Sequence, residues 1–218
     1  DGLIAGVTRP AGVSRPEAFA LVLTGKGGRW PRALADDNGG DNMEAAPSPD
    51  GRFVAYTHRP FNDLNRWELR LVELAGGETR ALTGAPGEKD WAAAWSPDGE
   101  HIAFLSQRSD YTEIWLVRPD GDGLRQLTRL GRDVAEFAWS PDGRRLAVTY
   151  HREGAVDLAL LDVATGEMRV LQSGPGYFSA PQWAPATVRS PATVQEPFLT
   201  VEYENAATPP DIYRVDVA

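Results

Sequence analysis

An all-β fold of repeated four-stranded antiparallel blades, a β-propeller, is predicted by three features of this 218-residue chain. Ser-Pro-Asp-Gly occurs at 48–51, 96–99 and 140–143, with 48 residues from Asp50 to Asp98 and 44 from Asp98 to Asp142. Trp95, Trp139 and Trp183 then keep a spacing of 44 residues into a further unit, where the tetrapeptide has become Ala184-Pro185-Ala186-Thr187. A period in the mid-forties is the length of one propeller blade. No stretch carries helix-period patterning beyond a turn or two, and 22 Gly and 17 Pro suit a turn-rich chain.

The tetrapeptide reads as a hairpin turn. Proline pre-sets φ at the second position, Asp tolerates the bridge region, and Gly is favoured at the fourth. Apolar segments flank it, 91–95 before and 102–105 after in the best-preserved copy. The following strands are expected at 53–57, 102–106 and 146–150, each with an alanine four residues past the glycine (Ala55, Ala103, Ala147). A small residue repeated there implies close packing between blades. Third strands are expected at 69–74, 114–117 and 158–163, and fourth strands at 79–83, 124–128 and 168–172, the last set carrying Arg80, Arg125 and Arg169. The first blade is expected to hold strands at 3–8, 19–24 and 31–34, and the last to end in 212–217. The expected blades are therefore approximately 1–35, 43–83, 91–128, 134–172 and 178–218, about four and a half blades of one domain. On this reading the chain is part of a larger propeller of roughly seven or eight blades.

Composition excludes several functions. A net charge of −9 and pI near 4.9 argue against nucleic acid. No apolar run approaches the length of a membrane span. The absence of cysteine excludes disulfides, thiol catalysis and thiolate metal sites.

The candidates for chemistry resolve into structural roles. No Gly-x-Ser-x-Gly elbow occurs; Gly12-Val13-Ser14-Arg15-Pro16 lacks the second glycine and puts proline where a helix should begin. Ser48, Ser96 and Ser140 are turn residues. His58, His101 and His151 lie seven, two and eight residues past their turn glycines, with no metal-ligand spacing, and are expected as partly solvated strand ends. Asp36-Asp37-Asn38-Gly39-Gly40-Asp41 lacks the length and terminal Glu of an EF-hand loop and reads as a solvated acidic loop. Glu68, Glu113, Asp157 and Asp211 recur at the starts of third strands. An acidic ring at the propeller mouth is one reading; a repeated strand-end hydrogen bond or ion pair, with the fourth-strand Arg as a partner, is favoured because it recurs in every blade. Trp30, Trp91, Trp95, Trp115, Trp139 and Trp183 read as blade packing, while Trp67 beside the loop 59–66 is the candidate for a surface role. No catalytic, cofactor-binding or metal residue is assigned, and no cofactor is expected.

The unit running from Trp91 through Ser-Pro-Asp-Gly and Ile102-Ala103-Phe104 to Glu113-Ile114-Trp115 and Leu124-Arg125-Gln126-Leu127-Thr128 resembles the PD-type (PD40) propeller repeat. That repeat occurs in the prolyl-oligopeptidase family of serine peptidases and in the periplasmic propeller of the Tol system. The stretch 201–216, with Thr208-Pro209-Pro210-Asp211-Ile212-Tyr213, looks like the final blade of prolyl oligopeptidases and acylaminoacyl peptidases. This resemblance implies a non-catalytic propeller that covers the active site of an α/β-hydrolase domain and limits entry to short peptides. The catalytic domain and the remainder of the propeller would lie outside this chain, the parent enzyme being a serine peptidase, cytoplasmic and open to homo-oligomerisation. The alternative is a Tol-type binding propeller, periplasmic, with a protein partner. Propeller lactonases rank third, because their metal-binding Glu, Asn and Asp set has no visible counterpart.

Overall fold

In the computed structural model, residues 39–184 and 198–217 are described throughout, together with the strands at 3–8, 20–25, 32–35, 188–190 and 193–194. Among the described residues every regular element is a β-strand. β1 (Leu3–Thr8), β2 (Ala20–Gly25) and β3 (Arg32–Ala35) form an antiparallel sheet in sequence order. β4 (Gly40–Pro47), β5 (Phe53–Pro60), β6 (Glu68–Glu73) and β7 (Thr79–Ala81) form the second. β8 (Asp90–Trp95), β9 (Ile102–Ser106), β10 (Glu113–Val117) and β11 (Arg125–Gln126) form the third. β12 (Val134–Trp139), β13 (Arg145–Arg152), β14 (Ala155–Asp162) and β15 (Met168–Gln172) follow as a fourth group.

β16 (Tyr177–Ala184) leads into a connection holding the short pair β17 (Val188–Ser190) and β18 (Thr193–Val194). β19 (Phe198–Asn205) and β20 (Thr208–Asp216) complete the last group. A single parallel bridge, Val156 to Tyr177, joins this group to the fourth, so the two count as one seven-stranded sheet. The sequence does not anticipate that bridge. The lost fifth tight turn becomes the β16–β19 connection.

The chain divides into two compact units, residues 1–109 with 114–126, and residues 110–113 with 127–218. In each, burial follows position in the sheet. The middle strands β5, β9, β13 and β14 are buried along nearly their whole length. The outer strands β7 and β15 are mostly exposed. Middle strands covered on both faces need continuous apolar runs, and the outer strand does not. One core packs Ala55, Leu69 and Leu71 of the second sheet against Ala93, Ile102 and Phe104 of the third. Another packs Ala147, Leu158 and Leu160 against Leu199, Val201 and Val215. Ala55, Ala103 and Ala147 are fully buried.

Each Ser-Pro-Asp-Gly turn is built the same way. The serine hydroxyl donates to the Asp carboxylate, at 2.6 Å from Ser48 to Asp50, 2.5 Å from Ser96 to Asp98 and 2.6 Å from Ser140 to Asp142. The same serine oxygen accepts the N–H of Phe53, His101 or Arg145 at 2.9–3.0 Å. Gly51, Gly99 and Gly143 sit at φ 68°, 75° and 70°, a left-handed conformation that only glycine adopts without strain. The serine hydroxyl, followed by a backbone N–H, holds the carboxyls of Asp50 and Asp98 below the usual range. At Asp142 burial is the largest influence and pushes upward, but the same hydrogen bonds prevail.

Three links tie one sheet to the next inside each unit. Trp95 Nε1 donates to the Ala46 carbonyl at 2.9 Å, and Trp183 Nε1 to that of Ala138 at 3.1 Å. The fourth-strand arginines reach the carbonyl that follows the next third strand, Arg80 to Pro119, and Arg169 to Val217 at 3.0 Å. Finally, the first strands bulge four residues before the turn, where Glu44, Ala92 and Ala180 have φ of 54°, 55° and 48°. There Glu44 accepts the N–H of Ala92 at 2.8 Å, and Glu136 accepts that of Ala180 at 2.5 Å.

Candidate functional site

One layer of residues changes character along the array. It lies where the first strand begins, the second ends and the third starts. In the second sheet it pairs Asn42 with His58 and His58 with Glu68. In the third it pairs Asp90 with Ser106, with Glu113 opening β10. In the fourth group it holds Val134, Tyr150 and Asp157, and in the last Phe178, Tyr203 and Asp211.

The first three copies are buried, and most of their polar groups are paired. His58, 2% exposed, lies 2.9 Å by Nδ1 from Asn42 Oδ1. An amide oxygen only accepts, so Nδ1 carries the proton. Burial first, then the charge of Arg70, lowers the His58 pKa to about 4. Glu68 pairs with Arg66 and with Arg70 Nε at 3.0 Å, while Asp41 pairs with Arg59 at 2.5 Å. Asp90, wholly buried, accepts from Ser106 Oγ at 2.6 Å and from both Nε and Nη2 of Arg108 at 3.2 and 2.6 Å. Glu113 accepts from Thr128 Oγ1 at 2.5 Å and from the N–H groups of Leu130 and Gly131 at 2.7 and 3.2 Å. Asp157 accepts from Arg152 Nε at 2.7 Å, Ser173 Oγ at 3.2 Å and Tyr150 Oη at 3.5 Å. Burial, then the Asp157 charge, pushes the Tyr150 phenol up.

Glu68, Glu113 and Asp157 therefore form no acidic ring open to a ligand. They are strand-end acids, as the favoured reading had it, but their partners differ from the expectation. Strand-end arginines and fourth-strand hydroxyls hold them, because Arg80 and Arg169 are committed to carbonyls of the following sheet. His58 also departs from expectation, since it is buried rather than solvated; His101 is half-buried and His151 exposed. Trp67 is half-buried, edge-on to Trp91 with ring centroids 6.0 Å apart, and its Nε1 donates to Leu64 O at 3.3 Å. Ser14, Trp30 and the 36–38 part of the acidic stretch lie outside the described residues.

The last copy breaks the pattern. Asp211 is exposed and bonded to its own neighbour, the Ile212 N–H, at 2.8 Å. In place of a buried acid stand three rings: Phe178 and Tyr203 at 4.5 Å, and Tyr203 edge-on to Tyr213 at 5.9 Å. They border a cavity of about 380 Å³ whose rim is 172–175 and whose lining includes Arg214 and Val215. The sequence signal was the Thr208–Tyr213 segment, but setting Phe178 beside Tyr203 needs the register of β16 on β19 across the long connection.

Among the described residues no group of three His, Cys, Asp or Glu is placed to hold a metal ion, and no helix is long and apolar enough to cross a membrane.

The comparisons agree with this architecture. The chain covers 98% of its length on a puromycin-hydrolysing peptidase from Mycobacterium tuberculosis, with a TM-score of 0.74 and 19% identity. On a puromycin hydrolase it covers 91%, with a TM-score of 0.71 and 24% identity. On a TolB-type protein from Agrobacterium tumefaciens it covers 77%, with a TM-score of 0.63 and 22% identity. It spans 34% and 31% of the two hydrolases and 60% of the TolB-type chain. No curated protein matches it. Residues 31–190 match the TolB beta propeller domain family, PD40, and the chain belongs to that family.

Proposed function

We propose that this chain is the propeller segment of a serine oligopeptidase of the acylaminoacyl-peptidase type, covering the mouth of a hydrolase active site and admitting short peptides. The observation that carries this reading is the last group of strands. There the repeat degenerates, and Thr208–Asp216, the segment that looks like a final oligopeptidase blade, forms β20 against β19. The puromycin-hydrolysing peptidases share the fold over 91% and 98% of the chain, which supports the assignment. In this role the chain supplies no catalytic residue. The serine, histidine and aspartate belong to a hydrolase domain of the longer protein, which works in the cytoplasm.

A Tol-type protein-binding propeller is the second reading, favoured by the family match itself. Two results separate them. A protein containing this chain followed by a Gly-x-Ser-x-Gly elbow, labelled by a serine-directed phosphonate, is the expected outcome. An unlabelled, exported protein that captures an envelope lipoprotein would replace the peptidase reading with the Tol reading.

A further inference from the structure

We infer that Asp122–Gly123, in the connection between β10 and β11, is a modification site at which the folded protein forms isoaspartate spontaneously.

The chemistry needs two groups free at once. The Gly123 amide nitrogen attacks Cγ of the protonated Asp122 carboxyl. A C–N bond forms, and the carboxyl hydroxyl leaves with the amide proton as water, giving a five-membered succinimide. Water then adds to the Asp122 main-chain carbonyl and breaks its bond to the Gly123 nitrogen. The chain now continues through the side-chain carbonyl. Solvent supplies the water, nothing is oxidised or reduced, and the product keeps the original mass.

Asp–Gly occurs five times among the described residues, and four copies are held shut. Gly51, Gly99 and Gly143 donate their N–H groups to the carbonyls of Ser48, Ser96 and Ser140 at 3.0, 2.9 and 2.9 Å. Gly121 donates to the Arg118 carbonyl at 2.9 Å. The carboxylates are engaged as well. Asp50, Asp98 and Asp142 each accept a serine hydroxyl and a backbone N–H. Asp120 accepts the Asp122 N–H at 2.9 Å. At all four, attack must first break a hydrogen bond of the nucleophile and another of the electrophile.

The fifth copy has neither restraint. The Gly123 N–H meets no acceptor among the described residues. The Asp122 side chain is 78% exposed, and Arg118 Nη2 meets its carboxylate only at 3.4 Å, a surface pair of small worth. Gly123 has no Cβ to shield its nitrogen; one would stand 3.1 Å from Arg118 Nη1. The bonds Asp122 does make fall on its main chain, its N–H to Asp120 and its carbonyl from the Arg118 N–H at 2.9 Å. That carbonyl is the one hydrolysed to give isoaspartate, and the Arg118 N–H polarises it.

The test is incubation of the folded chain at mildly acidic pH. It is followed by digestion with a protease that does not cut before isoaspartate, and by electron-transfer fragmentation, which locates the new linkage. Asp122 is expected to convert at least about tenfold faster than Asp50, Asp98, Asp120 or Asp142, the factor that one broken hydrogen bond contributes. In urea the five rates are expected to converge, because the turns that protect four of them are gone. Asp122→Glu, whose longer side chain cannot close the five-membered ring, is expected to abolish the fast conversion. Equal rates in the folded chain, faster conversion at another of the five, the same selectivity in urea, or a fast signal that survives Asp122→Glu would overturn the proposal.

Discussion

His58 Nδ1 lies 2.9 Å from Asn42 Oδ1, on neighbouring strands and 2% or less exposed at both residues. The pair places a neutral imidazole amid four charged neighbours, Asp41, Arg66, Glu68 and Arg70, with the two arginines lowering its pKa and the two acids raising it. A protonated ring has no solvent there to support its second charge.

This predicts an acid-sensitive stability. The folded pKa of His58 is lowered to about 4 from the ordinary 6.5, so the unfolded chain takes up the proton first as pH falls. The stabilisation is full above pH 6.5, declines between 6.5 and 4, and is gone below 4. The shift corresponds to about 3 kcal/mol across that window. Urea titrations at intervals from pH 7 to pH 4 are expected to show this slope in the parent chain and a flatter one in His58→Gln. Parallel slopes would contradict the prediction.

The tryptophan links predict a cost that repeats with the array. Trp95→Phe keeps most of the packing against the core shared by the second and third sheets but deletes the donor to Ala46 O. Trp183→Phe does the same to Ala138 O. Each is expected to lose about 1 kcal/mol by urea denaturation, the net worth of one hydrogen bond. A loss at one site alone would show that the two links are not equivalent.

The turns were legible because their chemistry is local: serine, aspartate and glycine satisfy one another within four residues. The buried pairs were not legible. Asp90 meets Arg108 across 18 residues, and Asn42 meets His58 across 16, in a layer whose residue types change from sheet to sheet. A repeat search sees identities, and this layer conserves position while exchanging Asn–His for Asp–Ser, Val–Tyr and Phe–Tyr. The acidic starts of the third strands were visible for the opposite reason, since Glu68, Glu113 and Asp157 keep their type. Their partners were not, because those lie at strand ends fixed only by register. Tyr213 shows the same limit, since its pocket depends on a pairing that skips the 185–197 connection.

The two kinds of arginine pair predict very different losses. Arg108, 11% exposed, is bidentate to the fully buried Asp90 and also meets Glu88 at 3.0 Å. Arg108→Ala leaves a buried carboxylate unpaired and is expected to cost about 3–5 kcal/mol. Arg118 meets Asp120 and Asp122 at 3.5 and 3.4 Å on the surface, and Arg118→Ala is expected to cost about 0–1 kcal/mol. Urea midpoints of the two variants measured side by side check the contrast, and similar losses would refute it.

Gly174, on the rim of the aromatic cavity, and Gly176, just past it against Tyr203, stand two residues apart and face different surroundings. A Cβ on Gly176 would lie 2.5 Å from both the Tyr203 ring and the Glu204 carbonyl, while one on Gly174 meets nothing within 4 Å. Backbone cannot yield as a flexible side chain does, so Gly176→Ala must displace the ring or the strand start. It is expected to destabilise by about 1–3 kcal/mol, the range for overpacking. It should also alter the near-ultraviolet circular dichroism of the Phe178, Tyr203 and Tyr213 cluster, because Tyr203 loses its seat. Gly174→Ala is expected to be neutral within about 0.5 kcal/mol, as surface substitutions usually are, with an unchanged aromatic spectrum. If both variants leave the aromatic signal intact, the ring does not depend on Gly176 for its position, and the cavity's walls are set by the β16–β19 pairing alone.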